Sequence, residues 1–182
     1  MKAFTIAALT ASLFILAACA TRPPLPREAA PDAFVLEEDL LGRTVARGEF
    51  RAVTGTVRGF TATLNGSWDG RTMTLVEDFV FDDGERDRKT WVLERVGPGR
   101  YVGTREDVVG EAVGFQDGNA FRLEYDVRLP SENGRGRVVR FRDVIVNTSE
   151  GRILNRATVG WFGLRVARVE LTMEREPVSA AQ

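Results

Sequence analysis

Alternation with a period of two, cut at short intervals by turn dipeptides, constrains this chain more than any other feature. Phe121, Leu123, Tyr125, Val127 and Leu129 share one parity, and Arg122, Glu124, Asp126 and Arg128 the other. Ala167, Val169, Leu171 and Met173 alternate with Arg168, Glu170, Thr172 and Glu174, and Phe60, Ala62 and Leu64 with Thr61 and Thr63. Successive side chains of a strand point to opposite faces, so each segment reads as a strand with an apolar and a polar side. Between them stand Asn65-Gly66, Asp69-Gly70, Asp83-Gly84, Pro98-Gly99, Asp117-Gly118, Asn133-Gly134 and Glu150-Gly151. Asn-Gly and Asp-Gly accept the positive φ of tight hairpins, which makes them strong punctuation. No amphipathic helix of useful length competes; Phe34 to Arg43 is expected to form a short helical turn ended by Gly42.

About nine or ten such strands fit between Thr44 and Arg175, joined by links of a few residues. Short links make consecutive strands antiparallel neighbours, hence a meander. Left flat, a sheet of that size would keep long edges and a bare apolar face. Closing or curling it removes both, so the predicted fold is all-β, a lipocalin-like (calycin-like) barrel of about 8–10 strands. A two-sheet β-sandwich is the alternative, disfavoured because no long crossover connection is visible. The polar strand faces carry too many charges to meet lipid, which excludes a transmembrane barrel.

The N-terminus reads as an export signal. Met1-Lys2 is a short positive start, and Ala3 to Ala18 is apolar apart from Thr5, Thr10 and Ser12. It ends in Leu16-Ala17-Ala18-Cys19, which resembles the bacterial lipobox and contains the one cysteine of the chain. That resemblance implies cleavage before Cys19, lipidation of its sulfur and acylation of the new N-terminus. Two or more acyl chains hold a protein on a membrane where one is marginal. Ala20 follows Cys19, in place of the aspartate that retains lipoproteins in the inner membrane of enteric bacteria. An outer-membrane, periplasm-facing location is therefore expected. The organisation predicted is a signal peptide at 1–18, the lipidated cysteine and a tether at 19–33, one barrel domain at 34–176 and a disordered tail at 177–182. The tether assignment rests on Pro23, Pro24, Pro26 and Pro31, which favour a semi-extended backbone.

Composition removes whole classes of chemistry. There is no histidine, so imidazole acid/base catalysis, His-dependent nucleophiles and histidine metal sites are all absent. With the one cysteine committed to lipid, neither a disulfide nor a cysteine metal site is expected. The formal net charge of −1 gives no nucleic-acid surface. Ser67 lies in Asn65-Gly66-Ser67-Trp68-Asp69-Gly70, which lacks the order of a nucleophile elbow. No cofactor is implied.

Glu77 to Asp87 holds six carboxylates in eleven residues. Aligning Gly84 with the glycine of a helix–loop–helix calcium loop leaves Asp83 alone in register, so that motif is absent. Asp82, Asp83, Glu85 and Asp87 read as a solvated hairpin tip. Glu77 differs, sharing a face with Leu75, Phe79 and Phe81. Other polar residues intrude on apolar faces in the same way. Asp143 lies among Val139, Phe141 and Ile145, and Asn155 among Ile153, Ala157, Val159 and Trp161. Arg95 shares a face with Trp91 and Leu93, and Tyr101 with Arg105 and Asp107. Glu77, Trp91, Arg95, Asp143, Asn155 and Trp161 are the candidate cavity residues: aromatic walls with a few orienting polar groups suit a small amphipathic ligand. Internal salt bridges that plug the barrel are the competing explanation, and a bulge that turns these residues outward is another.

Several segments together resemble a known family: "GSWDG", "EDFVFDDGE", "RKTWVLERVGPGRYVGTREDVVGEAVG", "GNAFRLEYDVRLP" and "ILNRATVGWFGLRVARVELTMER". The resemblance is to the uncharacterised bacterial lipoprotein-like family called domain of unknown function 3833, and it runs from about residue 34 to residue 174. It implies an envelope protein with no assigned activity, cofactor or catalytic residue. Phe81 stands where the family pattern leads one to expect tyrosine. The expected function is a membrane-anchored, lipocalin-like binder of a small amphipathic or lipid-like molecule. The alternatives are a non-catalytic structural or assembly module that docks an envelope protein, and a hydrolase built on carboxylates such as Glu77 and Asp143.

Overall fold

A computed structural model of the chain describes residues 22–130 and 136–176. The signal peptide, Cys19, the Asn133-Gly134 turn and the tail at 177–182 lie outside the described residues.

One turn of helix, α1 (Leu36–Asp39), precedes ten strands. They are β1 (Gly42–Ala52), β2 (Val57–Trp68), β3 (Thr72–Phe81), β4 (Arg86–Gly97), β5 (Arg100–Thr104), β6 (Ala112–Asp117), β7 (Ala120–Leu129), β8 (Arg137–Asn147), β9 (Ile153–Trp161) and β10 (Leu164–Arg175). Each pairs antiparallel with its neighbour in sequence, and β1 pairs with β10, closing the ring. Closure removes every free edge. Inward parity carries the core, with Ala62, Leu64, Leu75, Trp91, Leu93, Leu123, Tyr125, Val127, Ile145 and Met173 buried in one cluster.

The two ends differ. At the end where β1 begins, α1 caps the barrel: Phe34, Leu36 and Leu40 are buried against the core, and Phe34 packs 6.2 Å from Phe121. This contact explains why Asn65-Gly66 is not the turn its composition suggests. β2 continues to Trp68, and a Cβ on residue 66 would sit 1.8 Å from the Leu40 carbonyl oxygen. Glycine is there so that the cap can approach the strand. The turn falls instead at Asp69-Gly70, with Gly70 at φ 97°.

Residues 22–33 do not hang free as a spacer. They lie along the outside of the barrel as a strap. Ala30 donates to the Asn147 carbonyl at 2.7 Å, Arg122 donates to the Pro23 carbonyl at 2.5 Å, and Glu28 pairs with Arg156 at 3.0 Å. Beneath it, Ala120, Val144, Val146 and Leu154 form a second small apolar cluster on outward parity, with Ala29 packed against it. Arg22 ends the described strap, paired with Glu124.

Candidate functional site

The lumen holds a cavity of about 460 Å³ that runs from Leu36 and Leu40 of the cap to Thr56, Arg58, Asp87 and Leu129 at the opposite rim. Its wall is mainly apolar and aromatic, with Phe60, Phe79, Trp91, Tyr125 and Phe141 among the lining residues. Trp91 meets Tyr125 edge-on at 4.9 Å, and Tyr125 stacks on Phe141 at 5.2 Å. Such geometries suit rings whose faces are negative and edges positive.

Four of the six residues marked in the sequence line this cavity: Glu77, Trp91, Asp143 and Asn155. Arg95 and Trp161 do not, and the reason is the same for both. Their parity is inward, but the barrel stops before their side chains reach the lumen. β4 shifts register between Arg95 and Gly97, and Arg95 leaves over the cap end, 2.7 Å from Glu37 and stacked 4.9 Å from Trp68. Trp161 is the last residue of β9. It packs on Phe162 at 4.8 Å and under Arg137 at 5.2 Å, outside the cavity.

Asp87 corrects the hairpin reading in the other direction. The tip proper is Asp82 to Glu85, and Arg58 holds it with hydrogen bonds of 2.9 Å to both Asp83 carboxylate oxygens and 2.6 Å to Glu85. Asp87, however, lines the rim of the lumen, pairs with Lys89 at 3.0 Å and accepts the Arg88 backbone N–H at 2.9 Å. The inward parity of Trp91 and Leu93, continued back along β4, was the signal for both residues.

Deeper in, the cation that answers Glu77 is Arg105, from the connection after β5. Its Nη1 lies 3.7 Å from Glu77 Oε2. Its Nε donates to Asp107 at 2.8 Å and its Nη2 to the same carboxylate at 3.3 Å. The guanidinium also stacks over Trp91 at 4.7 Å and Tyr125 at 5.3 Å, a favourable place for a desolvated cation. The Tyr125 hydroxyl donates to Asp143 Oδ2 at 3.3 Å. Burial pushes Glu77 up to about 7, with Arg105 opposing and Asp143, Asp107 and Glu106 adding to the rise. Burial pushes Asp143 up to about 7 as well, against the pull of Arg105 and of hydrogen bonds from Asn155 and Tyr125. Removing a carboxylate from water disfavours its charged form, and one shared arginine does not fully restore it.

Three buried acceptors in this group have no hydrogen-bond partner: Glu77 Oε2, Asp143 Oδ1 and Asn155 Oδ1. Among the described residues, no three His, Cys, Asp or Glu side chains come together in a metal-holding group.

A closed ten-stranded antiparallel meander, capped at one end and hollow toward the other, is a lipocalin-like barrel. The chain belongs to the DUF3833 family of proteins of unknown function, whose model matches residues 13–175. Comparison with curated protein sequences returns no match. Among solved structures, the chain is similar to the S-type phycobiliprotein lyase CPES from Guillardia theta. The TM-score is 0.57 at 9% identity, over 78% of this chain and 91% of that one. A redesigned β-barrel, mFAP1, bound to DFHBI, matches with a TM-score of 0.39 at 11% identity, over 76% of this chain and 97% of that one. At such identities the likeness is one of fold.

Proposed function

We propose that this protein binds a small amphipathic or lipid-like molecule in the barrel lumen while held on the periplasmic side of the bacterial outer membrane by lipid on Cys19. The observation that carries the binding role is the hollow interior. A cavity of about 460 Å³ is kept in a barrel that alanines such as Ala62 and Ala157 help to leave unfilled, and its size falls within the ~300–1,000 Å³ of small-molecule sites. Protein interiors are otherwise close-packed, and unfilled space forfeits dispersion contacts. The membrane setting is supported by Leu16-Ala17-Ala18-Cys19 and by Ala20 after it. The role proposed is binding without turnover, with Glu77 and Asp143 as groups that orient the ligand.

Binding is tested with the neutral fluorophore N-phenyl-1-naphthylamine. Its emission should rise with the wild-type chain and fall to background with Ala157→Phe, which fills the lumen. No rise with wild type, or an undiminished rise with Ala157→Phe, refutes lumen binding. Anchoring is tested by metabolic labelling with radioactive palmitate. The label should be lost in Cys19→Ser, and sucrose-gradient fractionation should place the wild type with outer-membrane markers.

A further inference from the structure

Resting on the lumen as a ligand site, the geometry points to the chemistry of the ligand's polar end: a hydrogen-bond-donating head of the primary-ammonium class, seated among Glu77, Asp143 and Asn155. With both carboxyls ionised, the groups left without a hydrogen bond there are all acceptors: Glu77 Oε2, which Arg105 approaches only to 3.7 Å, Asp143 Oδ1 and Asn155 Oδ1. Asp143 is 5% exposed and the cavity is the space it faces. A buried acceptor without a donor is costly, and a primary ammonium brings three donors and no acceptor.

The charges lining the cavity choose between an ammonium and a carboxylate. Its cations are Arg58, Lys89 and Arg105, and its carboxylates are Glu77, Asp87, Asp107 and Asp143. Each cation is already engaged. Arg58 is held by Asp83 and Glu85, Lys89 by Asp87 at 3.0 Å, and Arg105 by two bonds to Asp107 with Glu77 beside it. A fatty-acid carboxylate would have to break one of these pairs and would add an acceptor to a site already in excess of acceptors. An ammonium breaks none, and pairs with the carboxylates formed as Glu77 and Asp143 ionise. The upward-shifted Glu77 and Asp143 fit the same picture, since an arriving cation would let them ionise.

The test uses three probes of equal chain length, dodecylamine, dodecan-1-ol and dodecanoate, titrated calorimetrically into the full chain. Dodecylamine should bind at least about tenfold more tightly than dodecanoate, a difference of about 1.4 kcal/mol. Glu77→Gln and Asp143→Asn should each remove most of that preference and leave dodecan-1-ol binding in place. Dodecanoate binding as tightly as dodecylamine overturns the assignment, and so does an amine preference that survives both substitutions. In either case dodecan-1-ol binding shows that the lumen still takes ligands. Failure of all three probes refutes lumen binding itself and the head-group assignment with it. Should the carboxylate variants fail to fold, Asn155→Leu removes one acceptor without touching charge and should still narrow the preference.

Discussion

Glu77 and Asp143 face each other across the lumen, on β3 and β8, strands five places apart in a ring of ten. Arg105 is set between their interests, 3.7 Å from Glu77 and stacked over Tyr125, whose hydroxyl donates to Asp143. Two carboxylates thus depend on one guanidinium that a third, Asp107, already holds.

The first consequence is a pH dependence with an unusual sign. Both carboxyls titrate near 7 in the folded state and near 4 when unfolded. Between those values the native state binds more protons, so stability falls as pH rises from about 4 to about 7 and levels off above. The free protein should unfold at a lower temperature at pH 8 than at pH 5.5. The difference, on the order of a few kcal/mol, should shrink in Asp143→Asn. Thermal unfolding of both proteins at the two pH values checks this.

Arg105→Ala should be far more damaging than Arg95→Ala. Removing a buried partner leaves charge uncompensated and costs about 3–5 kcal/mol. The Arg95–Glu37 pair, whose arginine is exposed and whose glutamate keeps the Tyr101 hydroxyl as a donor, is worth about 1 kcal/mol at most. Urea denaturation should separate the two, and the Arg105→Ala deficit should be larger at pH 8, where Glu77 and Asp143 are ionised.

Gly66→Ala should dislodge the cap. Its added methyl would meet the Leu40 carbonyl, a backbone atom that cannot swing aside. Overpacking of this kind costs about 1–3 kcal/mol. Hydrogen exchange should show faster opening at Leu36 to Leu40 in the variant, with β7 and β8 unchanged.

The strap predicts a protease result. Ala30 is buried and its backbone bonds to Asn147 and Asn119. Ala30→Asp places a charge there without a partner, which favours release of the strap. Trypsin should then cut after Arg27 much faster than in the wild type, leaving the barrel intact.

The barrel was legible in the sequence because period-two alternation records which side of a strand meets the core. The same signal found Glu77, Asp143 and Asn155, since a carboxylate or amide of inward parity in mid-strand has nowhere else to point. It misplaced Arg95 and Trp161 because parity continues past the end of a barrel, and nothing periodic marks where the wall stops. It gave Arg105 no special role because that residue belongs to a connection, where side-chain direction follows loop contacts. The strap's extended form followed from its prolines, but its docking depended on a separate cue. Val144, Ile145 and Val146 are apolar in succession, and a strand apolar on both parities has both faces covered.

Ring closure joins Thr44 of the first strand to Arg175 of the last. A chain made from its N-terminus therefore cannot complete the wall until β10, Leu164–Arg175, is available. Until then β1 presents an unpaired edge, and the growing sheet exposes the surface destined to line the lumen. Contacts between distant parts of a chain form slowly, because loop entropy is lost before they reward it. The last strand is thus a kinetic latch: a chain stopped short of β10 would keep two open edges and a strong tendency to pair with its own copies.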